Sequence, residues 1–140
     1  KKGRSDAIHF PRPMLNQKNY DFSFSGLKTA VLYYLRDTKK VRRADVAVSV
    51  QQAIVDVLVR KTIRAAQEFR AKSVLLCGGV SANKALRKNL ELQAISHKLY
   101  FFVPPFEYNT DTAAMIAAAG YIKHLQKRRL KLIAQPNLNI

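Results

Sequence analysis

Between Ala44 and Phe69 apolar side chains recur at helical spacing for about seven turns, without a glycine or proline to interrupt them. Val46, Val50, Ile54, Val57, Leu58, Ala65, Ala66 and Phe69 fall near one face. Asp45, Ser49, Gln52, Asp56, Arg60 and Arg64 follow the opposite one. Asp56 with Arg60 and Arg64 with Glu68 are spaced to pair one turn apart, each pair contributing a few tenths of a kcal/mol. A helix of this length with one apolar stripe is stable only when other elements lie along it. The rest of the chain has to supply that cover.

The remaining segments read as follows. Residues 1–24 hold Gly3, Pro11, Pro13 and Asn16 with no regular period, which predicts an extended, loop-like start. Ser25 stands at a helix N-cap position, with Leu27, Ala30, Val31 and Leu35 behind it in a helix to about Asp37. The run Ser73 to Cys77 is apolar without alternation, which predicts a strand buried on both faces, with Cys77 packed inside. It ends at Gly78-Gly79, after which Ser81 can cap a helix to about Ser96, with Ala85, Leu86, Leu90 and Leu92 inward. Leu99 to Val103 predicts a second strand, stopped by Pro104-Pro105. A last helix is expected from near Thr110 to about Arg129, its first half built of small residues that allow close packing. The order predicts a helix-rich α/β core over residues 25–132 with a small parallel sheet, and a loose tail over 133–140. Two strands are too few for a stable open sheet, so strands from outside this chain, or from further copies of it, are expected to complete it.

With 48% apolar residues, 140 positions suffice for a core, and disorder is excluded as a class. The net charge is +16, a field that attracts polyanions and above all nucleic acid. The competing explanation is a solubilising surface, or a basic face covered by a more acidic segment. Basic residues cluster at Lys39 to Arg43, Arg60 to Lys72 and Lys123 to Lys131. The middle set reads as a solvated helix face; the last, with Lys123, Lys127, Arg128, Arg129 and Lys131, is the better RNA candidate. One cysteine excludes an internal disulfide and fits a reducing, cytoplasmic setting. The longest apolar run, Ala113 to Ile122, is too short to span a bilayer, so no membrane association is expected. A first residue of Lys1 suggests a piece of something longer.

Two places could carry chemistry. In Gly78-Gly79-Val80-Ser81-Ala82-Asn83 a strand turns into a helix through residues without Cβ atoms, where backbone N–H groups and the helix dipole favour a phosphate and Asn83 can present its amide to a nucleotide. The alternative is a plain tight turn. Asp111 lies at a helix start just past the second strand, on the edge of a parallel sheet where ligands bind. Its alternative is an ordinary carboxylate at a helix N-terminus. His9, His97 and His124 share no ligand spacing, and neither a zinc motif nor a local Ser-His-Asp arrangement is present.

Four runs, FPRPM (Phe10 to Met14), YDFSFSGLKTA (Tyr20 to Ala30), LLCGGVSANKALR (Leu75 to Arg87) and NTDTAAMIAAAGY (Asn109 to Tyr121), together resemble the TsaD/YgjD family. The resemblance implies the C-terminal domain of an actin-like ATPase fold, with the N-terminal domain absent. It also implies an activity: transfer of a threonylcarbamoyl group from its adenylate to the adenosine beside the anticodon of tRNA. It further implies one iron or zinc ion held by two histidines of the N-terminal domain and by Asp111, with Asn83, Gly78 and Gly79 on the adenylate. No histidine pair of that kind is in this chain, so the chain alone is expected to be inactive. No catalytic residue is assigned within it. Expected partners are tRNA, TsaB/TsaE-like proteins and the N-terminal domain, with self-association of the chain a further expectation. The older endopeptidase label attached to such proteins finds no peptidase residues here. Two other classes compete: a non-catalytic scaffold derived from the same fold, and a basic RNA-binding module.

Overall fold

The computed structural model describes residues 3–109 and 113–127. The long periodic segment is helix α2, Arg43–Glu68, preceded by α1, Ser25–Asp37. Strand β1, Ser73–Leu75, and strand β2, Tyr100–Phe102, flank helix α3, Lys84–Ser96, and pair in parallel. Their register sets Ser73 against Tyr100, Val74 against Phe101 and Leu75 against Phe102. Helix α4, Ala113–Leu125, belongs to a separate unit that begins at Thr110. The predicted tail lies outside the described residues. No described helix is long and apolar enough to cross a membrane.

Helix α2 is covered along two sides. On one side Val55, Val59, Ile63 and Ala66 pack with Val74 of β1 and with Leu86, Leu90 and Ala94 of α3. This cluster holds the helix–sheet layer together, and each large side chain in it contributes about 1.5–3 kcal/mol. On the other side Val46 and Ala53 meet Phe10 and Leu27, and Phe10 sets its ring edge-on against Tyr34 at 5.6 Å.

The N-terminal segment is extended as expected, and polar side chains fasten it along α2. Any Cβ on Gly3 would stand 2.2 Å from the Ala44 carbonyl oxygen, so the segment starts where only glycine fits. Ser49 donates to the Arg4 carbonyl, and Arg12 reaches Asp56 through Nε and Nη2 at 3.0 and 2.8 Å. Arg64 donates to the carbonyls of Gln17 and Asn19 at 2.8 and 2.7 Å. Lys61, 1% exposed, gives its ammonium to Asn19 Oδ1 and the Asp21 carbonyl, with the Phe22 ring beside it. Tyr20 donates to Glu68, a bond that raises the phenol above its ordinary range.

These contacts correct several expectations. Asp56 and Glu68 serve Arg12 and Tyr20 instead of pairing along the helix with Arg60 and Arg64. Lys61 and Arg64 belong to the packing of the N-terminal segment rather than to a solvated basic face. Ser49 is buried, whereas Phe69 is 71% exposed and stands against Tyr20. Ser25 opens α1 without capping it, because its hydroxyl pairs with that of Ser23. Leu92 faces solvent, and Ala94 takes the inward place. The strands are not buried on both faces: Val74 points inward while Leu75, Tyr100 and Phe102 are exposed, since helices cover one side of the sheet. Cys77 is exposed as well, being past the end of β1.

Leu90, 3% exposed, lies between α2, α3 and the sheet. Leu90→Ala is expected to lower the unfolding free energy by about 2–5 kcal/mol, read from urea denaturation.

Candidate functional site

After β1 the ladder continues by one bond, from Leu76 N–H to the Phe102 carbonyl at 2.9 Å. The chain then turns at Gly78, whose φ of 83° and ψ of 174° lie in a region open essentially to glycine alone. Gly79 differs: a Cβ built there meets nothing within 4 Å, so the fold itself makes no demand for glycine at this position. Its bare backbone is open to whatever approaches the turn.

The strand does not run directly into the helix. A short 3-10 turn, Gly79–Ala82, intervenes, and the cap of α3 is Asn83, not Ser81. Asn83 Oδ1 accepts from the N–H groups of Ala85 and Leu86 at 3.0 and 3.1 Å. These first donors of α3 are therefore satisfied within the chain, and an incoming anion would find them taken. The Asn83 amide nitrogen points the other way, 3.4 Å from Gln51 Oε1, on the wall of a cleft.

That cleft, of 570 Å³, opens between the Phe22–Phe24 stretch, α2 and α3. Phe22, Phe24, Ile54, Leu58, Leu76, Val80, Leu86 and Leu90 make it mostly apolar, while Lys28, Thr62 and Asn83 add polar groups. Its size is within the range of small-molecule sites, and an apolar wall with a few polar anchors suits a flat ring bearing a charged substituent. Sequence reasoning assigned no role to Phe22, Phe24, Lys28 or Thr62. The alternation Phe22-Ser23-Phe24-Ser25 was the available signal, since an extended segment of that pattern presents both rings to one side.

Ser81, fully buried, donates through its hydroxyl to Asn109 Oδ1 at 2.6 Å, while Arg87 Nε donates to the Ser81 carbonyl. The loops that leave the two parallel strands are thus bonded to each other at one edge of the sheet. Asp111, two positions after Asn109, lies outside the described residues. Among the described residues no three His, Cys, Asp or Glu side chains stand together to hold a metal ion.

Gly78→Ala is expected to cost about 1–3 kcal/mol of stability, and Gly79→Ala no more than about 0.5 kcal/mol, both measured by urea unfolding.

The family model for tRNA N6-adenosine threonylcarbamoyltransferase matches residues 1–118. Proteins described by that name are similar to this chain across nearly its full length. The one from Thermosipho melanesiensis is 46% identical over 139 residues, which are 99% of this chain and 42% of the relative. That from Thermotoga neapolitana is 46% identical over an alignment of 144 positions that covers 100% of this chain and 43% of the relative. A third, from Desulfotalea psychrophila, is 49% identical over 131 residues, 89% of this chain and 38% of its own length. The chain therefore spans about two-fifths of the relatives it matches.

Proposed function

This chain belongs to the tRNA N6-adenosine threonylcarbamoyltransferase family, and we propose that it forms the C-terminal part of an enzyme that moves threonylcarbamoyl from its adenylate to the adenosine beside the tRNA anticodon. The observation that carries this reading is the arrangement of one sheet edge. There an open glycine turn and the Asn83 amide adjoin an apolar cleft of 570 Å³. In this reading the cleft takes the adenylate. Phe22 and Phe24 face the base, and Lys28 balances phosphate charge. The backbone at Gly78 and Gly79 lies against the ligand without a side chain in the way, and Asn83 Nδ2 donates to it.

The fold is then the C-terminal domain of an actin-like ATPase, and the N-terminal domain of the same enzyme supplies the opposite wall. Asp111 contributes one carboxylate to an iron or zinc ion whose other ligands come from that domain. The chain by itself is inactive on this view, and the assembly works in the cytoplasm with tRNA and TsaB/TsaE-like proteins. A net charge of +16 supports tRNA as the partner, because phosphate neutralisation by Lys and Arg gives affinity that rises as salt falls.

Asn83 has two jobs in this account, and they can be separated. Asn83→Ser keeps an oxygen to cap α3 but removes the amide donor, so the full-length enzyme should keep its stability. Its affinity for the adenylate, measured by calorimetry, should weaken by about 1–3 kcal/mol. Unchanged affinity would remove Asn83 from the ligand site. Asp111→Ala in the same protein should abolish stoichiometric metal in elemental analysis, and full metal content would take Asp111 out of the ligand set.

A further inference from the structure

The basic groups seen in the sequence are used differently by the fold. In the middle group Lys61 and Arg64 are spent on the N-terminal segment, which leaves Arg60, Arg70 and Lys72 apart from one another along the chain. In the last group Arg128, Arg129 and Lys131 lie outside the described residues. The first is concentrated. Arg36, Lys39, Lys40, Arg42 and Arg43 fall on the short loop between α1 and α2 and on the two helix ends it joins, with Asp37 the one carboxylate among them.

The acidic residues nearby are already engaged. Asp37 pairs with Arg36 at 2.6 Å, and Asp45 pairs with Arg42 at 3.6 Å and accepts from the Arg4 N–H at 2.9 Å. Lys39, Lys40 and Arg43 are exposed, and their side chains make no ion pair or hydrogen bond among the described residues. Their placement also runs against the helix dipole, which favours cations at a helix C-terminus and anions at its N-terminus. Helix α2 begins with Arg42 at its N-cap and Arg43 next to it, has no side chain bonded to its first N–H groups, and carries no basic residue in its last turn. A local charge choice that the fold leaves uncompensated points to a functional surface, and the missing complement is a polyanion. One turn before the loop, Tyr33 is half exposed, and the Arg36 guanidinium lies 4.6 Å from its ring centroid, held there by Asp37. An exposed ring with a planar cation is a platform on which an unpaired base stacks, which a merely solubilising patch does not need.

We propose that the α1–α2 loop is a contact surface for the RNA substrate, with Lys39, Lys40 and Arg43 neutralising phosphates and the Tyr33–Arg36 stack receiving a base. The inference rests on the functional reading above, and it sets this contact away from the cleft. Arg43 stands about 16 Å along α2 from Ile54 in the cleft wall, at 1.5 Å per residue. The loop therefore holds tRNA and takes no part in the transfer step.

The test measures binding of an unmodified tRNA substrate to the full-length enzyme by fluorescence anisotropy over a range of KCl concentrations. A Lys39→Ala, Lys40→Ala, Arg43→Ala triple variant is expected to bind about tenfold more weakly, with the slope of log affinity against log salt shallower by about 2–3. Its affinity for the adenylate and its kcat at saturating tRNA should stay within about twofold of wild type, because neither involves the loop. Tyr33→Ala should weaken binding by about fivefold or more and leave the salt slope as it was, since stacking carries no charge. An Arg60→Ala, Arg70→Ala, Lys72→Ala triple removes the same charge elsewhere and should stay within about threefold of wild type. The Lys39→Ala, Lys40→Ala pair leaves the start of α2 untouched and keeps the experiment readable if the loop triple fails to fold. Equal losses in the two triples would assign the effect to net charge and overturn the loop as a site. Wild-type tRNA affinity in the loop variants would overturn it too, and loss of a TsaB/TsaE-like protein in its place would give the surface to a protein partner. In each of those cases a wild type that modifies tRNA leaves the functional reading standing. A folded, metal-loaded wild type that neither binds nor modifies tRNA would overturn both.

Discussion

Lys61 carries an ammonium group into the protein with no carboxylate in ion-pair range among the described residues. Its charge is solvated by the Asp21 carbonyl, the Asn19 amide oxygen and the Phe22 ring. A buried cation of this kind is costly unless its neutral partners are held in place. Satisfying it obliges residues 19–22 to lie against α2 at one location. Arg64 reinforces that location through the Gln17 and Asn19 carbonyls, and Arg12 fastens the segment further back at Asp56. The cleft depends on this arrangement, since Phe22 follows directly on the residues that Lys61 holds and Phe24 stands two further on. Polar ties made for one cation thereby place two aromatic rings.

Helix α2 is the common support. Its one side carries the sheet and α3, and its other side carries the N-terminal segment and α1. Ile54 and Leu58 line the cleft between those two bodies of structure, and Gln51 meets Asn83 from the same helix. A displacement of α2 would shift both walls together, whereas loosening of the N-terminal segment would open one wall alone. The apolar cluster around Leu86, Leu90 and Val59 and the polar ties of the segment thus control different parts of the cleft.

The elements most legible in the sequence were those set by local periodicity and breakers. The extent of α2, the parallel strand pair around α3 and the extended start all follow from apolar spacing and from glycine and proline positions. What escaped was burial by partners distant in sequence. A lysine or serine on the polar stripe reads as solvated, and only the fold shows residues 4–21 lying over Ser49 and Lys61. The run Val74 to Leu76 is equally apolar whether one face of a strand or both are covered, so the exposure of Leu75 could not be read from it. Of the candidate site, the glycine turn was visible because φ demands are local, and Asn83 was picked out for its amide. Its capping role was missed, because Ser81 is as good a cap by residue type and only the intervening 3-10 turn decides between them. Asn109 stood beside Asp111 in the same motif, yet nothing in its neighbours foretold a bond to Ser81, 28 positions earlier.

The two-stranded sheet has an aggregation chemistry of its own. Among the described residues each strand is hydrogen-bonded along one edge only, and Leu75, Tyr100 and Phe102 are exposed, with the Tyr100 and Phe102 rings stacked at 6.5 Å. Unpaired edges beside apolar rings are templates for further strands. At high concentration copies of this chain can meet there, and the repulsion of a +16 charge is a brake on that encounter. Added salt, by screening the charge, would release the brake, so the low-salt conditions that favour polyanion binding are also those that keep the chain dispersed.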